Sequence, residues 1–516
     1  MKLRKTLALL LVFAMTAALF AGCAYAEETP HYTFNLGRRL NGPMNEDANE
    51  KLYWEDRLGC TFNVQYFEYA NYNEIRNLEL ASGNIPDVFS VFDRADMMEL
   101  YDNGFLGGFT EEFLAENAPL LYEHMKANDL LPMASIDGKI YSLAWVHPHY
   151  VYPSPVIWNM DWLKAIGFEG LPTTLDEFDE VLHKFATEDP DGNGENDTYG
   201  FSNSIMDTFF GSFDVARGLW KVQKDGSLAY DILQEGSKDA LTWLAKMYAD
   251  GVIDPEFITG ENHGGYWPLS HAFAEERIGL TGLGYFYHWT TPEAVEVYHQ
   301  THVGTPTILP DVNPDLHYDF GNQPVGPNGS FGNPNPEGNG CDDIVFSKEF
   351  VEDEERFKAF LDICQITAGL YDIEDYVIAY KGLKGDTWDY DENGNAMPVD
   401  DPEKTSLDYM IAQGANGAFR FTCTTEGEEA CTPGKYEWIN SVYENLNGNY
   451  YTNAIFDVLP SQSEYLSEIQ TLLDEARVAI ITGEKPIDYY DEVVEQAYSM
   501  GYDILQAEAT EIYNNQ

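Results

Sequence analysis

His31-Tyr32-Thr33-Phe34-Asn35-Leu36 and Phe62-Asn63-Val64-Gln65-Tyr66-Phe67 are two β-favouring runs on either side of an acidic, helix-like stretch from Asn45 to Leu58. Strand, helix and strand in that order are the opening of a βαβ unit. Gly83-Asn84-Ile85-Pro86-Asp87 breaks the chain before a further short apolar run, Val88-Phe89-Ser90-Val91. Behind Pro172, Thr174-Leu175-Asp176-Glu177 is a capping box, and Leu175, Phe178, Val181, Leu182 and Phe185 continue it on one helical face. Ser237 to Asp250 repeats the logic with Leu241, Leu244 and Tyr248, and Gly251 suits the C-terminal cap. Phe357, Phe360, Leu361 and Cys364 mark another helix, and Tyr490, Val493, Val494 and Ala497 a later one. The class is therefore α/β.

The N-terminus reads as an export signal. Lys2, Arg4 and Lys5 precede an apolar stretch from Thr6 to Phe20, too short to span a membrane as a helix. Phe20-Ala21-Gly22-Cys23 resembles a lipobox, which makes 1–22 a signal peptide, Cys23 a lipidated N-terminus and 23–30 a linker. Ala24-Tyr25-Ala26 offers ordinary release instead, giving a secreted protein. About 490 residues remain, more than one core normally supports, so two lobes are expected. The expected path is 31–145 in lobe 1, 146–300 in lobe 2, 301–370 back in lobe 1 and 371–516 in lobe 2 with the C-terminal helices. A loop dense in Pro, Gly and Asn, Thr305 to Asn339, is placed near the lobe boundary.

Against 29 basic residues stand 87 acidic ones, a net charge of −58. That field repels phosphate backbones and anionic membrane surfaces, so nucleic acid is excluded as a partner. Cys423 and Cys431 are close enough in sequence to close a loop in an oxidising space, and equally they are two buried thiols.

Several segments appear in a recognisable order: Leu80-Ala81-Ser82-Gly83-Asn84-Ile85-Pro86-Asp87, Asp137-Gly138-Lys139-Ile140-Tyr141-Ser142-Leu143, Asp161-Trp162-Leu163, and Leu171 to Phe178. Asp189-Pro190-Asp191-Gly192-Asn193-Gly194, Tyr248 to Phe257, and Ile481 to Asp488 follow. Together they resemble the large Gram-positive-type extracellular solute-binding proteins of carbohydrate ABC importers, the family 1 lipoproteins. The resemblance implies a periplasmic-binding-protein-like fold of two lobes joined by hinge segments and closing on a ligand between them. It also implies delivery to an ABC transporter permease, and no catalysis. A secreted polysaccharide-degrading enzyme or a surface glycan-adhesion protein is the competing class. No G-x-S-x-G, H-E-x-x-H or P-loop stands in a suitable context.

The sharpest local motif is Asp189, Asp191, Asn193, Glu195 and Asp197, whose oxygens follow the alternate-residue spacing of a calcium loop, with Gly194 at its sixth position. Gly200 stands where a bidentate Glu closes an EF-hand, and Thr198 where some relatives carry an additional acid. The expected cofactor is thus structural Ca2+ and nothing catalytic; an Asx-rich turn is the plainer alternative. Asp389 to Asn395 reads as a hairpin turn through Asn393-Gly394. His147-Pro148-His149 lacks zinc-site spacing.

Sugar rings stack their C–H faces on aromatic side chains. Trp220, Trp267, Tyr285, Tyr287, Trp289 and Trp388, which sit near Gly, Pro or polar residues, are the ligand-binding candidates, each as easily a packing residue. Arg38 and Arg39, read as following the first strand, are the basic candidates, with Glu46 or Asp47 as plain surface partners. Basic residues are few, so the expected ligand is a neutral oligosaccharide, bound by a monomer tethered to the membrane only through its lipid anchor.

Overall fold

The computed structural model describes residues 30–515 apart from 41, 69–70, 92–93, 147–155, 260–269, 283–312, 336–339, 416, 435–439 and 442–445. The leader, Cys23, His147 and His149 lie outside the described residues. No helix among the described residues is long and apolar enough to cross a membrane.

In chain order the principal strands are β1 (Thr33–Leu40), β2 (Thr61–Glu68), β3 (Val88–Ser90), β4 (Ser142–Val146), β5 (Val156–Asn159), β6 (Tyr199–Phe201), β7 (Ile278–Thr281), β8 (Tyr318–Gly321), β9 (Asn333–Asn335), β10 (Gly340–Phe346) and β11 (Tyr450–Thr452). β1 and β2 pair in parallel across eight residues with the helix Asn49–Leu58 between them, so the opening βαβ unit is present. The first sheet runs β2-β1-β3-β10-β4, with only β10 antiparallel. The second runs β8-β5-β7-β6, with only β5 antiparallel.

Each sheet has its own core. Phe34, Leu36, Phe62, Phe346, Phe360 and Phe419 fill the first; Trp158, Phe178, Phe185, Phe209, Leu241 and Leu473 fill the second. The helix Leu175–Thr187 begins with the Thr174–Glu177 capping box and buries the five apolar residues read from its sequence. Asn393-Gly394 turns a two-stranded hairpin, with Gly394 at φ 86°.

Among the described residues the chain changes sheets after β4, between β8 and β10, and between Cys431 and Ile455. The second and third passages pair with each other through β9 and β11. Amide side chains extend that pairing. The Gln323 N–H donates to Asn447 Oδ1 at 2.8 Å, the Asn447 N–H to Asn322 Oδ1 at 2.7 Å, and the Asn449 N–H to Gln323 Oε1 at 3.1 Å. The rail docks on the second lobe, where Thr208 Oγ1 donates to Asn333 Oδ1 at 2.6 Å and Ser212 Oγ to the Pro324 carbonyl at 2.8 Å. Beyond β11 the strap Ile455–Leu459 is shared. Ile455 and Leu459 enter the second core, whereas Phe456 and Val458 pack on the first lobe.

Two expectations are corrected, and an alternative left open is decided. The return boundaries fall later than 301 and 371: β8 belongs to the second sheet, while Tyr376, Val377, Trp388, Phe421 and Cys431 fill the first core. The stretch 305–339 is not one structureless loop, since β8 and β9 lie inside it. Cys423 and Cys431 are buried thiols not bridged to each other, with the helix Thr425–Cys431 between them. Cys423 Sγ donates instead to Glu428 Oε1 at 3.2 Å.

Candidate functional site

The passages show which end of each sheet the connections leave from and enter. β4 ends just before the first passage, and β1, β2 and β3 run parallel to it, so all four C-terminal ends share one edge. β5 begins just after that passage, and antiparallel pairing puts the C-terminal ends of β7 and β8 beside its start, with β6 parallel to β7. The crevice outside strand carboxyl ends is where open α/β sheets bind ligands.

On the second lobe this edge is built from small polar groups. Ser204 Oγ lies 2.9 Å from Thr281 Oγ1 and accepts the Gly282 N–H at 3.1 Å, so the turns after β6 and β7 are locked together. Asn203 beside them is exposed. On the first lobe, half-buried Arg39 and Trp145 stand one residue before the ends of β1 and β4. The Arg420 guanidinium lies 4.4 Å over the Trp145 ring and 4.6 Å over the Tyr380 ring. Its Nη1 donates to Glu428 Oε1 at 2.8 Å and to Tyr376 Oη at 3.2 Å.

Of the eight ligand candidates, three are packing residues. β1 extends to Leu40, so period-two alternation turns Arg38 onto the core face with Phe34 and Leu36. Arg38 Nη2 donates to the Gly417 and Arg420 carbonyls, both at 3.0 Å, and burial pushes its pKa down to about 10. Trp220 stacks parallel to Tyr502 at 5.8 Å in the second core. Trp388 is buried and its Nε1 donates to the Gly382 carbonyl at 2.7 Å. Arg39 alone of the described candidates is at the crevice edge. Trp267, Tyr285, Tyr287 and Trp289 lie outside the described residues; the last three follow within eight residues of the end of β7. Trp145 and Arg420 were missed by sequence reasoning. The signal for Trp145 was an aromatic at the end of Ser142-Leu143-Ala144-Trp145-Val146; Arg420 had none.

The acidic loop is separate and lies wholly in the second lobe. Asn193 Nδ2 donates to Asp191 Oδ2 at 2.7 Å and to Asp197 Oδ1 at 3.2 Å, and the Gly194 N–H reaches Asp189 Oδ2 at 3.1 Å. Glu195 contributes its N–H, to Asn193 Oδ1 at 2.6 Å. Burial, and then the carboxylates of Asp189 and Asp197, push Asp191 above the usual carboxylate range. Among the described residues no three His, Cys, Asp or Glu side chains converge as a metal site.

The sequence pattern of the bacterial extracellular solute-binding proteins matches residues 51–303. Lipoprotein LipO of Bacillus subtilis is 28% identical over 47% of this chain and 50% of its own length. The fructooligosaccharide ABC transporter substrate-binding protein FusA of Streptococcus pneumoniae is 27% identical over 48% and 52%. These matches thus span about half the length of the curated relatives. The fold likeness runs further. The FusA structure in complex with kestose covers 94% of this chain and 99% of that one, with a TM-score of 0.59 at 18% identity. A FusA EF-hand mutant in complex with fructo-nystose gives 0.57 at 17%, over the same 94% and 99%. On sequence, residues 51–303 are similar to the bacterial extracellular solute-binding proteins, and the α/β fold of the chain is that of solved solute-binding structures.

Proposed function

We propose that the protein is the capture component of an ABC importer, held at the outer face of the membrane through a lipid on Cys23, and that it delivers a neutral oligosaccharide to the permease. The observation that carries this is the pair of separate sheets, each meeting the first passage at strand carboxyl ends and joined by a paired, amide-railed link. Ligand bound between such lobes closes them by its differential affinity for the closed state. The fructooligosaccharide named for FusA supports a saccharide, and LipO supports the lipid anchor. Neutrality follows from the charge of −58, and Arg38 is spent on backbone carbonyls.

The test is titration of the mature chain with fructo-, malto-, xylo- and galacturono-oligosaccharides, with product analysis. Binding of a neutral chain, without turnover and nearly unchanged between low salt and about 0.5 M salt, is expected. Turnover by the pure protein would overturn the receptor reading. Preference for the uronate chain would overturn neutrality.

The acidic loop carries the oxygens a structural Ca2+ would take, although its carboxylates do not converge in this structure. Asp191 and Asp197 both accept from the Asn193 amide and Asp189 from the Gly194 N–H, and burial, then the carboxylates of Asp189 and Asp197, raises the Asp191 pKa. A cation there takes oxygens from Asp189, Asp191, Asn193 and Asp197, with the Asn193 amide turned to present its oxygen and Glu195 at the rim. Excess Ca2+ should raise the melting temperature above that in chelator, because the metal binds only the folded loop. Asp191→Ala, which removes the ligand oxygens, should abolish that difference. Identical melts in calcium and chelator would reject the site.

A further inference from the structure

Trp145 is one residue from the end of β4, at the mouth of the first passage between lobes. It is only half-buried, unlike Ser142, Leu143, Ala144 and Val146 on the same strand. One ring face is covered by the Arg420 guanidinium at 4.4 Å, and the indole packs on the first core with its Nε1 buried, so only part of the ring remains open. Arg420 in turn is fixed on every side. Tyr380 lies under the guanidinium at 4.6 Å, Glu428 and Tyr376 take Nη1, and Arg38 holds the Arg420 carbonyl at 3.0 Å.

Burying a guanidinium is costly unless it is paired, and here a buried carboxylate, a phenol and two rings are assembled to keep it. Packing alone is served by an apolar side chain in that position. What the cation adds is a fixed orientation for the indole, since the electron-rich ring face is attracted to it. A ring held this way loses little conformational freedom when a ligand lands on its open part, which is how pre-organisation strengthens binding.

We propose that Trp145 is the stacking platform for the saccharide on the first lobe and that Arg420 is its positioning residue. The proposal rests on the saccharide-receptor reading above. It places one sugar ring of the ligand against the β4 end of the crevice, opposite the Ser204–Thr281 edge. Arg420 touches no ligand; it acts through the indole.

The experiment uses the mature chain and whichever saccharide the wild type binds in the panel above. Trp145→Ala should weaken binding by about 30-fold or more, as loss of an aromatic anchor does. Trp145→Phe should retain binding within about tenfold of wild type, because it keeps an aromatic face. It should nevertheless lose the largest part of the ligand-induced change in tryptophan emission, a readout that a purely structural role does not move. Arg420→Met should weaken binding, and Arg420→Lys should restore part of the loss by returning the cation. Trp145→Phe guards against poor folding of the alanine variant. Wild-type affinity in Trp145→Ala, or an unchanged emission response in Trp145→Phe, would overturn the proposal and leave the receptor standing. No binding of any saccharide by the wild type would overturn both.

Discussion

Gly326→Ala should lower the melting temperature by roughly 6–12 °C, the shift expected for a loss of about 3 kcal/mol in a domain of this size. A Cβ at residue 326 would lie 1.7 Å from the Ser212 carbonyl oxygen and 2.6 Å from its carbon, both backbone atoms that no rotamer change can move. The same surface is tight from the other side, where a Cβ on Gly211 would meet the Gly332 oxygen at 1.8 Å. The helix Met206–Ser212 and the passage from β8 to β10 therefore touch backbone to backbone, and only glycine permits it. That helix starts just beyond the crevice end of β6, so the clash moves the crevice edge together with the link. Gly448→Ala is the matched control, because its Cβ would find nothing nearer than 3.7 Å and should change stability by less than about 0.5 kcal/mol. Thermal melts of the two variants, with scattering in the presence and absence of ligand, check this. Equal melts would show that the link does not dock on the second lobe as described.

Much of the scaffold was legible because local chemistry decides it. The Thr174–Glu177 box, the βαβ opening and the Asn393-Gly394 turn each satisfy backbone groups within a few residues, and neighbouring sequence is enough to read them. What was not legible depends on partners far away. Tyr376 and Val377 lie on an amphipathic helix whose apolar face announces burial but does not say in which lobe, and so the last boundary was misplaced. Trp220 and Trp388 have polar and glycine neighbours in sequence, yet each lies in a short strand docked on helices, one against Tyr502 and the other capping Gly382. Arg38 was an error of strand length. Once β1 reaches Leu40, alternation alone sends residue 38 inward, where two carbonyls distant in sequence were waiting for it. Trp145 was readable only after topology showed which strand ends face the crevice.

The second large effect is expected inside the first lobe. Arg76→Met should cost about 3–5 kcal/mol of unfolding free energy, the usual penalty for stranding one member of a buried ion pair. Arg76 and Asp96 have side chains 0% and 6% exposed and meet in a fork, Nη1 to Oδ2 at 2.7 Å and Nη2 to Oδ1 at 2.5 Å. Nη1 also reaches the Ser90 carbonyl at the end of β3. The pair thus ties the helix Tyr72–Ser82 to the helix Arg94–Asp102 at the edge that faces the crevice. Arg94, two residues from Asp96, carries that order across the lobes. Its Nε donates to the Phe456 carbonyl of the strap at 2.7 Å and its Nη2 to the Ser135 carbonyl at 2.7 Å, with Nη1 on the Met133 carbonyl. Methionine fills most of the volume of the arginine stem, so the loss in the single variant measures the stranded Asp96 carboxylate and not a cavity. Removing that charge as well, in Arg76→Met with Asp96→Asn, should recover more than half of the loss, since replacing both members of a buried pair is far less costly than removing one. Denaturant unfolding of wild type, single and double variants gives the comparison. If the double variant is no more stable than Arg76→Met, the stranded charge is not the cause, and loss of the Arg76 guanidinium from the Tyr72 ring and from its other acceptors must carry the effect.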